Sequence, residues 1–373
     1  MIRVLVAEDS YAARVLIVAT LENDPEIEIV GEAHDGEAAV ALARRLNPDV
    51  ITMDIHMPLL DGLAATARIM SENPTPIVVV SSAVNPRDVA STFDAIRAGA
   101  LVALAKPGSG TDRTAAEERA IFTSTVKAMA RVKVVRRWSG AAEALALPPG
   151  SQDTARSRHL SDLPPAMGIG STTARQRRTT PSEAVSLIAI AASTGGPSAL
   201  RTLLGALPSD FSTPIVLVQH IARGFLDGFA QWLDGECAIN VRVARGGERL
   251  QSGTVYVAQD DLHLGISATR HTLAIRSEPV NGFRPSASVL FESAASAYGA
   301  GLVAVILTGM GSDGVSGLRR VREGDGFVIA QDEETSLIYG MPGEAVKAGV
   351  VDMSLPLNVI AEQLLKLSRY GMC

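Results

Sequence analysis

Ser193, His220 and Asp313 each follow a strand-like apolar run, in the segments Ala-Ser-Thr-Gly-Gly at 192–196, Val-Gln-His-Ile at 218–221 and Thr-Gly-Met-Gly-Ser-Asp-Gly at 308–314. If those runs lie side by side, the three side chains meet at one edge of one sheet. A hydroxyl, an imidazole to take its proton and a carboxylate to orient the imidazole are what covalent acyl transfer requires. The glycines after Ser193 allow a tight turn, and a helix start there would present unpaired N–H groups. A helix cap or a phosphate-binding loop is the plainer reading of the same serine. No Walker lysine follows, and Ala191 stands where the lipase elbow has its first glycine. His263 and His271 fall among closely spaced short strands, where structural or surface roles suit them. Cys237 and Cys373 form no metal-ligand or redox spacing and read as free thiols of a reducing compartment rather than nucleophiles.

A second group of reactive residues occupies the first third of the chain. Glu8 and Asp9, Asp54, Ser81 and Lys106 follow the first, third, fourth and fifth apolar runs. Carboxylates gathered at such strand ends repel one another and attract a divalent cation, and Mg²⁺ suits a few carboxylates, waters and phosphate oxygens. An aspartate in that setting can accept a phosphoryl group as an acyl phosphate. Lys106 would neutralise the developing charge and Ser81 would hydrogen-bond an oxygen. Taken singly, each residue is a helix cap, a turn residue or a solvated charge; together, at successive strand ends, they form a site suited to accepting a phosphoryl group.

The elements that must carry these residues alternate. Strands are predicted at 2–7, 27–31, 50–53, 77–80 and 101–104. Helix-like spacing fills the intervals, with Ala38, Leu42 and Leu46 on one face. A helix is expected over 114–135, with basic residues from Arg131 to Arg137 at its negative end. Alternation resumes with strands at 187–191, 215–219, 239–244, 302–308 and 326–330 and a closing helix over 355–369. The runs at 254–258, 262–266 and 272–276 leave no room for helices, so an antiparallel excursion is expected there. The fold class is α/β, with two doubly wound parallel-sheet domains.

Composition places these parts in a 373-residue chain of net charge −6. Residues 1–106 carry net −7, residues 107–182 net +6 and residues 183–373 net −5. The basic middle is rich in Ser, Thr, Pro and Gly around Arg175, Arg177 and Arg178, without interleaved aromatics. It reads as a solvated tether rather than a nucleic-acid surface. The expected division is 1–138, a flexible basic linker over 139–184, and 185–373. As a random coil the linker's 46 residues reach about 35–40 Å, enough for the halves to dock or separate. No apolar run reaches the roughly 18–20 residues of a membrane span, and Met1 leads straight into a strand pattern. A soluble, cytoplasmic protein without membrane insertion is expected.

With Met57-Pro58 before Asp61-Gly62 and Lys106 before Pro107, residues 1 to about 125 resemble the response-regulator receiver domain, a flavodoxin-like fold. The resemblance implies that a histidine kinase phosphorylates Asp54, and that Glu8 and Asp9 hold Mg²⁺ with Asp54 and the backbone carbonyl of His56. Receivers often have an aromatic three positions before the lysine; here it is Ala103, which puts the usual rotamer switch in doubt. With Phe283-Arg284-Pro285-Ser286 and Met-Pro-Gly-Glu at 341–344, the three catalytic segments resemble the chemotaxis methylesterase family, called CheB. That resemblance spans the chain apart from the linker and implies a Rossmann-like three-layer hydrolase. It implies a phosphorylation-regulated protein-glutamate methylesterase, with chemoreceptors as substrate and a chemotaxis kinase as phosphodonor. No cofactor is implied for the ester hydrolysis. Backbone N–H groups near Met310 and Thr194 would stabilise the oxyanion, and receptor glutamine deamidation is a companion activity of many relatives. The competing class is a catalytically weak receptor-binding adaptor; a DNA-binding output would need a recognition module that is not seen after the linker.

Overall fold

The computed structural model describes residues 1–81, 86–108, 110, 113–132, 134 and 178–369. The first unit is a five-stranded parallel sheet of β1 (Ile2–Ala7), β2 (Ile27–Ala33), β3 (Val50–Asp54), β4 (Ile77–Ser81) and β5 (Val102–Ala105). Its order is β2-β1-β3-β4-β5, so strand order reverses between β1 and β3. Helices α1 (Tyr11–Glu22), α2 (Gly36–Leu46), α3 (Gly62–Glu72), α4 (Pro86–Ala98) and α5 (Arg113–Met129) connect and cover it. The capping chemistry is local: Ser10, Asp35 and Asp61 each precede a helix and accept a hydrogen bond from the N–H three residues on. Helix α5 ends at Met129, short of the expected 135. After it the backbone tightens, with Arg131 and Val132 donating to Ala128 and Met129. The basic residue in its last turn is Lys127, 2.8 Å from Asp24, while Arg136 and Arg137 lie outside the described residues.

The second unit carries β6 (Leu187–Ala192), β7 (Ile215–Gln219), β8 (Asn240–Val243), β9 (Thr254–Val257), β12 (Leu302–Ile306), β13 (Phe327–Gln331) and β14 (Met353–Leu355) in one sheet; β10 (His263–Ile266) and β11 (Thr272–Ile275) form a separate antiparallel pair. The seven strands run parallel in the order β14-β13-β12-β6-β7-β9-β8. The expected antiparallel excursion is therefore real only for β10 and β11. Strand β9 is buried at all four residues and pairs in parallel between β7 and β8. A short, mostly apolar run reads the same in either setting, and only its burial on both faces shows which applies. The three-residue edge strand β14 was not expected.

Helices α6 (Gly196–Gly205), α7 (Leu226–Glu236) and α11 (Leu357–Arg369) cover one face of this sheet, and α8 (Ala287–Tyr298), α9 (Val315–Glu323) and α10 (Met341–Lys347) the other. Every residue of β6, β7, β12 and β13 is buried, because both faces are covered. The order reverses at β6 and β12, the point where an open α/β sheet offers a crevice. The described part of the expected linker begins at Arg178, whose guanidinium donates to the carbonyl of Asp325 and lies 3.5 Å from Asp352. Most of that segment lies outside the described residues.

The two units touch along α4. Val89, Phe93 and Ile96 share an apolar cluster with Phe229 and Leu233 of α7. The Phe93 ring stacks on Trp232 at 5.2 Å, and Arg97 pairs with Glu236. Beside this contact a cleft of about 1060 Å³ separates Gly99, Ala100 and Arg131 from Gly195, Thr308 and Gly340.

Candidate active sites

At the switch point of the first sheet, Glu8 and Asp54 are buried and Asp9 is exposed. One oxygen from each lies within 4.8 Å of the others, a grouping that could hold a metal ion. Lys106 reaches in from beyond β5, its Nζ 2.9 Å from Glu8 and 3.2 Å from Asp54. Burial is the largest influence on both carboxyls and pushes them above the usual carboxylate range; Lys106 offsets only part of it. Burial opposes the Lys106 charge, but its bond to Glu8 and the Asp54 charge hold its pKa up. Ser81 is buried at the end of β4, and its carbonyl accepts from Lys106 N–H. The cluster is thus short of positive charge, and a divalent cation fits its donor set. The side chain of His56 is exposed.

The second switch point brings the other three candidates to neighbouring strand ends. Register pairs Ala192 of β6 with Gln219 of β7, so Ser193 and His220 are adjacent, and His220 N–H donates to the Ala192 carbonyl at 2.9 Å. Asp313 follows β12, on the other side of β6. His220 Nε2 stands 3.0 Å from Asp313 Oδ2, with the N–H direction off the line of a full hydrogen bond. His220 Nδ1 is buried and makes no hydrogen bond. Ser193 is buried apart from 8% of its surface.

The turn that presents Ser193 is held from several sides. Ser193 N–H donates to Thr308, and Gly196 N–H closes the turn onto the Ser193 carbonyl. Gly195 has φ 80°, and a Cβ there would come within 2.8 Å of Leu337. Gln219 Nε2 donates to the carbonyls of Ser193 and His220, at 2.9 and 2.8 Å. Thr308 Oγ1 donates to Thr194 O, while Gln331 Oε1 accepts from Thr308 N–H. At Gly309 a Cβ would lie 2.6 Å from Ser193 Cβ, so the glycine of Thr-Gly-Met lets that loop close onto the serine. Among the described residues, no backbone acceptor is found for the N–H groups of Thr194 or Met310.

Asp313 is solvated by protein groups rather than water. Its Oδ1 accepts from the hydroxyls of Ser286 and Ser288, both at 2.8 Å, and its Oδ2 from Ala287 N–H at 2.7 Å. These donors form the N-terminus of α8, whose dipole favours a negative charge. Burial alone would push the carboxyl up, yet the His220 contact, the helix N–H and the Ser286 hydroxyl bring it down to about 2. His263 is fully buried and structural, as expected: its ring accepts from Ser286 N–H and donates to Glu278 O. Burial also pushes the Cys237 thiol up to about 11, which keeps it protonated; Cys373 lies outside the described residues.

Sequence reasoning missed Gln219, Gln331, Ser286, Ser288 and Phe283 as supports. Two of them had a visible signal, since β7 and β13 are apolar runs that each end in a buried glutamine. Buried amides of that kind are retained where they bond to backbone.

A family model described as CheB methylesterase matches residues 188–364, and one described as response regulator receiver domain matches residues 4–116. The chain is 46% identical to protein-glutamate methylesterase/protein-glutamine glutaminase 4 of Myxococcus xanthus (strain DK1622), over 97% of this chain and 96% of that one. It is also 46% identical to the corresponding protein 3 of Anaeromyxobacter dehalogenans (strain 2CP-C), over 98% of each. The crystal structure of the Thermotoga maritima CheB methylesterase catalytic domain aligns with 38% identity, 50% coverage of this chain, 100% of that one and a TM-score of 0.48.

Proposed function

Since the chain belongs to the CheB methylesterase family, with a receiver domain in front, we propose that it is a phosphorylation-regulated protein-glutamate methylesterase. Its substrate is a glutamyl methyl ester on a helical cytoplasmic chemoreceptor. Receptor glutamine side chains, whose amides lead to the same acyl-enzyme, are a second substrate, as the names of the relatives indicate. We place the receiver at 1–138, the linker at 139–184 and the catalytic domain at 185–373. The setting is the cytoplasm; among the described residues no helix is long and apolar enough to cross a membrane.

The observation that carries this reading is the 3.0 Å contact of His220 with Asp313 beside the Ser193 turn. Asp313 stays ionised down to about pH 2 and can only accept, so Nε2 carries the ring proton. Nδ1 is then the nitrogen left to take the Ser193 proton. The Ser193 oxygen attacks the ester carbonyl, and the N–H groups of Thr194 and Met310 hold the oxyanion. His220 returns the proton to the departing methoxide, releasing methanol. Water then adds by the same route in reverse and frees the glutamate and Ser193.

In the receiver, Asp54 is the phosphoacceptor, with Ser81 and Lys106 on the phosphoryl oxygens. Glu8, Asp9, Asp54 and the His56 carbonyl would hold Mg²⁺, which supplies charge neutralisation when bound. A chemotaxis histidine kinase is the phosphodonor. The receiver lies along the cleft wall opposite Gly195 and Thr308, so phosphorylation that loosens the α4 contact would open the catalytic edge. With Ala103 packed beside that contact, Phe93 is the aromatic side chain placed to report the change. Methanol release from methylated receptor, with and without a small-molecule phosphodonor, tests the reading. Wild type should release methanol faster with phosphodonor and Ser193→Ala should release none; release by Ser193→Ala at the wild-type rate would overturn it.

A further inference from the structure

The hydrogen bonds around His220 do not fix its ring. Nδ1 has no partner, and Nε2 meets Asp313 at 3.0 Å off the hydrogen-bond line. A half-turn about Cβ–Cγ would place Cε1 where Nε2 faces Asp313 and Cδ2 where Nδ1 stands. The dyad would then be broken without any loss of backbone structure. What opposes that turn is Phe283. Its ring lies flat on the imidazole, with centroids 4.0 Å apart and planes 11° apart. A ring turning about Cβ–Cγ must pass through orientations perpendicular to its own plane, and a parallel neighbour at that distance occupies the space needed.

Phe283 is itself held. Its N–H and carbonyl exchange hydrogen bonds with Val280, both at 3.0 Å, closing the loop around Asn281 and Gly282. The next residue, Arg284, bonds to Asp261 and to the carbonyl of Ser277. Two residues further, Ser286 begins the set of donors on Asp313. One six-residue stretch, Phe283 to Ser288, thus grips the imidazole by its face and the carboxylate from behind.

The geometry points to Phe283 as a positioning residue that holds His220 in the orientation with Nε2 on Asp313 and Nδ1 free for the serine proton. This rests on the esterase reading of Ser193 and His220, and deepens it. The test compares full-length Phe283→Leu and Phe283→Tyr with wild type and with Ser193→Ala. The readouts are kcat and KM for methanol release from methylated receptor, and the ¹⁵N resonances of His220 in the labelled enzyme. Phe283→Leu should lower kcat by roughly 10- to 100-fold, the scale of a small misplacement of a reacting group. KM should stay within about twofold, and the His220 signals should change from one tautomer, protonated on Nε2, to a mixture. Phe283→Tyr, which keeps the stacked face, should restore both kcat and the single tautomer. Unchanged kcat and tautomer in Phe283→Leu would overturn the inference while leaving the esterase reading intact. A rise in KM alone would assign Phe283 to substrate binding, and equal loss in Leu and Tyr variants with a lowered Tm would assign it to packing; either outcome overturns it. Activity in Ser193→Ala would instead remove the reading on which it rests.

Discussion

The two carboxylate sites of this protein sit at equivalent places, the switch points of two parallel sheets, and are built in opposite ways. At the first, burial raises Glu8 and Asp54 above the usual range, and the Lys106 ammonium offsets only part of that rise. At the second, Asp313 is as deeply buried, yet His220, the Ala287 N–H at a helix N-terminus and the Ser286 hydroxyl bring it down to about 2. A carboxylate left short of partners is one that can bind a cation or accept a phosphoryl group. A carboxylate whose lone pairs are filled has no such chemistry left and acts on a neighbour through its charge. The count of donors, rather than burial, separates the two sites.

That contrast can be broken in order of effect. Asp313→Asn replaces a pure acceptor with a group that can donate to Nε2 and favour the wrong tautomer; kcat for methanol release should fall by about 10³- to 10⁴-fold with little change in fold. A loss under tenfold would mean that the carboxylate does not set the tautomer. Asp54→Ala should remove the rise in methanol release that a phosphodonor produces, and equal stimulation of variant and wild type would count against the acceptor assignment. Ser288→Ala removes one of the bonds to Asp313 Oδ1 and the hydroxyl that accepts from Gly314 N–H, so the folding free energy should fall by about 1–2 kcal/mol in denaturant titration.

The pH dependence of stability should have opposite signs at the two sites. Asp313 has a folded pKa near 2, below its unfolded value near 3.8, so its stabilisation is present above pH 4 and is lost as the pH falls from about 4 to 2. Glu8 and Asp54 have folded pKa values above their unfolded ones, so their ionised pair costs stability at neutral pH, and protonation on mild acidification relieves it. The smallest expected effect follows: Asp54→Asn should raise the Tm of the receiver transition by roughly 2–4 °C at pH 7, and the gain should shrink on acidification. A lowered Tm at pH 7 would show that the Lys106 pairing outweighs the strain of the cluster.

Most of the strand ends that carry the candidate residues were legible in the sequence, because parallel strands covered on both faces must read as apolar runs and their ends must be polar. Ser193, His220, Asp313, Glu8, Asp54 and Lys106 all lie where that reasoning puts them. The shortfalls have physical causes. Strand β9 is four residues long, and its partner direction is set by β7 and β8, which its own sequence does not encode. Helix α5 stops at Met129 although favourable residues follow it. Ser286, Ser288 and Phe283 act on residues 25 or more positions away, through contacts that exist only once α8 is packed beside β12. Residues that support rather than perform chemistry have ordinary types and no spacing rule, and only the folded chain shows what they touch.

The central claim is that Ser193 is a nucleophile made reactive by His220 and Asp313. Labelling with a serine-directed fluorophosphonate, mapped by peptide mass spectrometry in wild type and His220→Ala, tests it most directly. A single adduct on Ser193, formed far more slowly in His220→Ala, is the predicted result; an adduct on another residue, or equal labelling rates in the two proteins, would contradict it.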